Sequence, residues 1–454
     1  MTLSPMSEHH GKKHPASTIP DPYTPGHGSA DYSVRHYDLE LDCRLASNRL
    51  QGVAILRGRA NVKLSQISLD LAGLKPTKIQ LNGSRVAKFA QRGEKLVVNA
   101  PHSIPKGEDF LLEVRYEGNP RPRRGTWGEV GWEELRDGVL VAGQPDGAPS
   151  WFPCNDHPSQ KASYRFTVTT DAGYRVVCNG RLVEHRRKSS RETWVFEQKE
   201  PMASYLATLQ IGRYTTFDVD GAPGAVPVHV AVPPSLRGQA ETGLARQRDM
   251  MDLFEDRFGP YPFGEYTVVV TEDELEIPLE AQALSIIGRN HLATEWEAQR
   301  LVAHELSHQW FGNSLTVGSW KDIWLHEGFA CYAEWLWSEA SGTLSTQLRV
   351  LAAWRKLADQ AQDLVIGDPG PEDMFDDRVY KRGALALHVL RTAMGDEQFF
   401  TLLREWTREH RHATVTPQAL FALADSLAPG LDAAALLKPW LYEKHLPPLP
   451  APRP

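Results

Sequence analysis

The chain has 454 residues, enough for two or three domains with cores of their own. Its 50 lysines and arginines against 57 aspartates and glutamates leave a net charge of −7, which argues against a nucleic-acid or anionic-membrane surface. No apolar run approaches the roughly eighteen residues of a membrane span, and the stretch from Met1 to Pro22 lacks the apolar core of a secretory signal.

Residues 1–29 are polar and punctuated by Pro and Gly, so they read as a mobile leader in which His9, His10 and His14 are given no function. From Tyr37 the pattern switches to period two: Tyr37, Leu39, Leu41, Cys43 and Leu45 alternate with charged residues, as a half-buried strand requires. Similar short runs recur at Val53–Leu56, Ile67–Leu71, Lys95–Val98, Phe110–Tyr116, Tyr164–Thr169 and Thr193–Phe196. Asn82-Gly83 and Asn179-Gly180 supply turn signals between them. With no helical period before about residue 235, residues 30–222 are expected to form an antiparallel all-β domain. Inside it, Gly143 to Phe166 is too dense in Pro, Asn, Asp and Gly for a plain strand and reads as a shaped loop. The four cysteines, Cys43, Cys154, Cys178 and Cys331, are widely spread without a C-x-x-C. That favours buried free thiols in a reducing cytoplasm, with one disulfide left open.

The Gly- and Pro-rich stretch from Gly221 to Pro234 reads as the boundary to a second domain, residues 223–446, followed by a Pro-rich tail, 447–454. Helical period begins with Leu244, Met250, Met251, Leu253 and Phe254 and is stopped by Phe258-Gly259-Pro260-Tyr261-Pro262. Tyr266–Val270 and Leu284–Ile287 read as strands, and helices dominate after Glu297, including three amphipathic ones between Gly395 and Leu446. The acidic run Glu272, Asp273, Glu274, Glu276 and Glu280 is by itself most simply a solvated loop.

The chemistry concentrates between Arg300 and Glu339. His304 and His308 stand four apart in an apolar-periodic run, which on a helix brings both imidazoles to one face. Glu305 is turned about 100° from His304, too far to share a metal easily but near enough to hold a water on it. This H-E-x-x-H pattern is a zinc signature with the Glu as general base. Two His under-ligate zinc, and after eighteen intervening residues comes Glu327, early in a second helical pattern, as the third ligand. His326 would point away from that face and is a neighbour only. Glu334, two turns beyond Glu327, is a candidate acceptor for a ligand imidazole N–H. The tryptophans Trp310, Trp320, Trp324, Trp335 and Trp337 are most simply core around the site. A sheet followed by helices that carry one zinc ion suggests a thermolysin-like α+β catalytic domain.

His304-Glu305-x-x-His308, then eighteen residues, then Glu327 in Trp324-Leu325-His326-Glu327-Gly328-Phe329-Ala330 resembles the gluzincin aminopeptidases of the aminopeptidase N and leukotriene-hydrolase type. The resemblance covers roughly residues 30–395. Where that family carries Gly-x-Met-Glu-Asn, this chain has Ile277-Pro278-Leu279-Glu280-Ala281, so the resemblance implies that Glu280 binds the substrate's α-ammonium. Trp151 to Asp156 with Lys161-Ala162 is similar to a second family segment, which implies that Gln144 also reaches the free amine. A loop that merely packs the domains together is the plainer reading there. Tyr380, in Val379-Tyr380-Lys381-Arg382-Gly383, resembles the family's oxyanion-stabilising tyrosine, with Arg where Lys is common. The expectation is a zinc-dependent cytoplasmic aminopeptidase acting on peptides with a free N-terminus, without nucleic acid, membrane or obligate protein partner. An inactive scaffold and an epoxide hydrolase on the same zinc are the alternatives. About fifty residues after Gly395 cannot supply the large helical domain that encloses the site in many relatives, so an open cleft accepting long peptides is expected.

Overall fold

The structure is a computed structural model that describes residues 20–450. The period-two run beginning at Tyr37 lies in the strand Tyr32–Arg44, where Tyr37, Leu39, Leu41 and Cys43 are buried and their neighbours are not. This strand sits inside an eight-stranded sheet. It pairs antiparallel with Arg49–Ala60 and, as an exception to the antiparallel rule, parallel with Lys161–Asp171. Five- and three-stranded sheets complete the β domain. Asn82 and Gly83 make the hairpin turn that their left-handed φ angles of 49° and 78° allow. Asn179, by contrast, does more than turn the chain. It is fully buried, and its amide donates to the carbonyls of Leu206 and Gln282 at 2.8 and 2.9 Å, which ties the β domain to the second domain.

Two expected boundaries move. Residues 20–29, placed by the sequence in a mobile leader, are packed against both domains. The Asp21 carboxylate accepts from the backbone N–H of Tyr23 and of Trp320. The Tyr23 hydroxyl donates to Asp368 and accepts from the Gly370 N–H. His27 pairs with Asp156 at 3.0 Å. Polar composition misled there because these polar atoms find buried partners. The rest of the expected leader, with His9, His10 and His14, lies outside the described residues, as do residues 451–454. The boundary expected at Gly221–Pro234 falls earlier in the chain. That stretch is the turn and second strand of a hairpin, Thr215–Asp218 with Val228–Val232, that opens the second domain's sheet. That sheet continues through Tyr266–Thr271 and Leu284–Gly288 to the edge strand Leu279–Ala281, which carries Glu280.

Helices α1 (Arg237–Gly243) and α2 (Gln247–Phe258) precede that sheet's later strands, and α3 (Trp296–Ser307) and α4 (Trp324–Ala340) follow it. Then come α5 (Thr346–Ala358), α6 (Asp377–Met394), α7 (Asp396–Glu409), α8 (Pro417–Leu427) and α9 (Ala433–Tyr442). From Trp324 to Ser338 every residue of α4 is buried, so the helix runs through the core; all five tryptophans are buried, three of them (Trp324, Trp335 and Trp337) on the helix itself. Arg382 turns its buried guanidinium onto the carbonyls of Pro439, Glu443, Lys444 and His445 and so pins the end of α9 and the chain after it. All four cysteines are free and buried. Among the described residues no helix is long and apolar enough to cross a membrane.

Helices α4 and α6 cross at Gly328 and Gly383. A Cβ placed on Gly383 would lie 2.9 Å from the Cα of Gly328, and one on Gly328 would meet the backbone of Gly383 as closely. Glu327 is the neighbour of one glycine and Tyr380 stands one turn before the other, so this crossing sets their separation. Gly to Ala in a free helix stabilises by up to about 1 kcal/mol. Gly383→Ala should do the reverse here and lose about 1–3 kcal/mol through overpacking. A denaturation midpoint at or above that of the wild type would show that the helices are not in contact at this point.

Candidate active site

Helix α3 presents His304 on its last turn and ends at His308, with the two ring centroids 4.8 Å apart. Their Nε2 atoms lie 3.3 and 3.5 Å from one oxygen of Glu327, on the first turn of α4. The far nitrogens are anchored. His304 Nδ1 is 2.8 Å from Glu334, and His308 Nδ1 is 2.9 Å from the carbonyl of Phe311. Each Nδ1 therefore carries the proton, and each Nε2 lone pair is aimed at the space beside Glu327.

The electrostatics of this cluster ask for a cation. Burial works against charge throughout it. Even so, the adjacent imidazoles hold the Glu327 carboxyl well below its ordinary range. Glu334 is brought to about 2 by Lys381, the His304 N–H and Arg300. In turn the carboxylates draw protons onto the imidazoles, raising His304 to about 9 and His308 to about 10 against their burial. A site that pulls positive charge onto two buried rings suits a divalent ion in their place. Two imidazoles and one carboxylate with a fourth position free is the donor set of a catalytic zinc, and the three ligating atoms lie within 4.8 Å of one another. Glu280, Glu305 and His308 form a second such group. It suits zinc less, offering one nitrogen and two carboxylates. Glu305 also keeps one oxygen, Oε2, buried without any hydrogen-bond partner, which leaves it free to act on a ligand.

A cavity of about 800 Å³ lies between the β domain and the second domain, and every residue given a site role from the sequence lines it: Gln144, Glu280, His304, Glu305, His308, Glu327, Glu334 and Tyr380. Burial, helped by Glu280 and Glu327, raises the Glu305 carboxyl to about 8, although both imidazoles pull it down. Burial likewise raises Glu280, against His308 and with Glu327. The Tyr380 ring stacks on His304 with centroids 5.9 Å apart, and burial keeps its hydroxyl protonated. Gln144 leaves its amide Nε2 buried without a partner. The loop around it also packs the domains together, for Lys161 donates to the carbonyls of Asn313 and Ser314 at 3.0 and 2.7 Å. His326 stays out of the cluster: its Nε2 accepts from the Val317 N–H.

Several organising residues escaped the sequence reading. Gln309, next to His308, is fully buried and holds the Ala283 N–H and the Ala281 carbonyl, which fastens the edge strand bearing Glu280 to the end of α3. A polar residue in an apolar run was the available signal. Arg300, one turn before His304, reaches Glu334 at 3.5 Å, and Lys381 lies beside the same carboxylate. Their spacing to the histidines was visible, their convergence was not.

The sequence pattern of the peptidase family M1 domain matches residues 243–440, and that of the peptidase M1 N-terminal domain matches residues 33–206. A leucyl aminopeptidase of Saccharolobus solfataricus is 24% identical over 438 residues, covering 91% of this chain and 54% of that protein. The leukotriene A-4 hydrolase of Xenopus laevis is 24% identical over 449 residues, 92% of this chain and 72% of its own length. The chain thus spans about half the length of the first curated relatives it matches. An M1 zinc metallopeptidase from Deinococcus radiodurans, known from its crystal structure, is 31% identical with a TM-score of 0.86, covering 95% of this chain and 99% of its own. A glutamate-to-alanine mutant of that enzyme, bound to a tyrosyl-seryl-alanine substrate, superposes with a TM-score of 0.87 at 30% identity and the same coverage.

Metal content tests the ligand set. Purified Glu327→Ala should lack zinc by elemental analysis, while Glu305→Gln should retain one ion per chain. Glu334→Gln, which weakens the anchor on His304, should bind zinc about 10–100-fold less tightly. Full zinc in Glu327→Ala would refute the assignment.

Proposed function

The chain belongs to the peptidase M1 family, and on that premise we propose that it is a zinc aminopeptidase that removes the first residue from peptides with a free N-terminus. The observation that carries this reading is the convergence of Glu280 and Gln144 on the cavity that holds the His304, His308 and Glu327 cluster. An exopeptidase must count from the amine, and a carboxylate one residue's length from the metal does so. Burial raises the Glu280 carboxyl against the pull of His308. An α-ammonium would restore its charge, with the Gln144 amide completing the pocket.

His304, His308 and Glu327 are the residues that would hold zinc. When bound, the ion polarises the scissile carbonyl and acidifies the attacking water. Glu305 would take that water's proton on its partnerless Oε2 and deliver it to the leaving amine. Tyr380, kept protonated, donates to the oxyanion as the carbonyl becomes tetrahedral. Glu334 is a positioning residue: it holds the His304 Nδ1–H and so directs Nε2 inward. The four free, buried thiols support a reducing, cytoplasmic setting.

Aminoacyl fluorogenic amides assayed with and without a chelator test the activity directly; no chelator-sensitive release from any of a full panel would refute it. Tyr380→Phe should lower kcat about a hundredfold with KM little changed, since the lost bond belongs to the transition state. An unchanged kcat would return Tyr380 to a packing role. Glu280→Ala should cost about 2–5 kcal/mol in kcat/KM for free-amine peptides, and N-acetylated peptides should be inert on both proteins. Preserved discrimination between free and acetylated peptides in Glu280→Ala would remove Glu280 from the site.

A further inference from the structure

The strand Arg123–Gly125 pairs with the start of Gly128–Leu135, which leaves Thr126 and Trp127 as the tip of a tight hairpin. Gly128, at φ 91°, lets the chain reverse there. The hairpin's base is fixed, because Arg123 pairs with Glu94 and with both the carboxylate and the carbonyl of Asp146. Its tip is otherwise exposed: Arg124, Gly125, Thr126, Gly128 and Glu129 all face solvent. A tryptophan at such a tip gives up apolar burial unless something receives it.

Its receiver lies on the other domain. Trp127 Nε1 donates to the Pro371 carbonyl at 2.7 Å, and its ring meets Phe375 edge to face, with centroids 6.3 Å apart. Trp127 and Phe375 both line the 800 Å³ cavity, so the two walls of the cleft touch at this point. Phe375 stands just ahead of α6, five residues before Tyr380. Along the loop that leads to Glu280, the Arg136 N–H donates to Asp273 at 3.3 Å and makes another crossing between the domains. A cavity of this volume would be about 12 Å across if spherical, the reach of three or four extended residues at about 3.3–3.6 Å each. Anything longer must leave past the rim.

We infer that Trp127 is a specificity-determining residue: its bridge to Pro371 and Phe375 closes one side of the cleft rim and disfavours peptides too long to fit inside. This rests on the aminopeptidase reading and replaces the open cleft expected from sequence. The bridge joins the domains by one hydrogen bond and one ring contact, so it is a barrier that a single substitution removes.

The test compares kcat/KM for a dipeptide and a ten-residue peptide that share their first two residues. Wild type should favour the dipeptide at least tenfold. Trp127→Ala should shrink that preference at least fivefold, and Trp127→Phe, which keeps a ring against Phe375 but loses the bond to Pro371, should fall between. Dissociation constants of the same two peptides, measured by calorimetry on Glu305→Gln with and without Trp127→Ala, should sort by length in the same way without turnover. Melting temperatures and zinc content of each variant separate a lost gate from a damaged fold. An unchanged preference in folded, zinc-loaded Trp127→Ala, or a wild type indifferent to length, would overturn the gate. If wild type cleaves neither peptide while binding still sorts by length, the aminopeptidase reading fails and the gate stands.

Discussion

Four carboxylates, Glu280, Glu305, Glu327 and Glu334, and two imidazoles share one wall of a cleft, and that wall is unstable without compensating positive charge. Buried carboxylates this close would take up protons, or push the structure apart, unless cations stood among them. The protein answers in two layers. Arg300 and Lys381 lie beside Glu334 and keep it ionised. The remaining demand, focused where both Nε2 atoms meet Glu327, is what a divalent ion would satisfy. Glu305 and Glu280 are left with raised carboxyls on the same cavity.

Holding that arrangement requires backbone precision more than side-chain chemistry. The crossing at Gly328 and Gly383 brings α4 and α6 into backbone contact, which seats Tyr380 over His304. Gln309 ties the end of α3 to the edge strand that carries Glu280. The β domain contributes Lys161 and the Tyr205 hydroxyl to the turn after His308, where they meet the carbonyls of Asn313, Ser314 and Gly312. The same turn supplies the Phe311 carbonyl that anchors His308. The two domains therefore build the site jointly. The cavity exists only between them, with Gln144 offered from one side and the metal cluster from the other.

The misjudged segments share one cause. Residues 20–29 look disordered by composition, because composition counts polar groups and not the partners that bury them; Asp21, Tyr23 and His27 each find one far along the chain. The Gly221–Pro234 stretch looks like a domain boundary because glycine and proline punctuate hairpins and boundaries alike. Pairing with a strand on the far side of that turn is a tertiary fact that local composition does not hold.

By itself the sequence determined the strands of the β domain, the order of sheet and helices, and the chemistry of the centre. Local periodicity sets which face of a strand or helix is apolar, and a four-residue spacing on a helix puts two histidines side by side whatever surrounds them. The carboxylate that meets both Nε2 atoms, Glu327, and the one at His304 Nδ1, Glu334, were legible for the same reason: two turns of one helix keep them on one face. Only the tertiary structure decided that Gln144, Glu280 and Tyr380, from three separate elements, line one cavity. It alone brought Arg300 and Lys381 to the same carboxylate. It alone carried Trp127 to a carbonyl 244 residues away in the chain. Those placements depend on helix crossings, on domain docking and on which buried groups find partners, and such long-range contacts leave no period in the sequence to read.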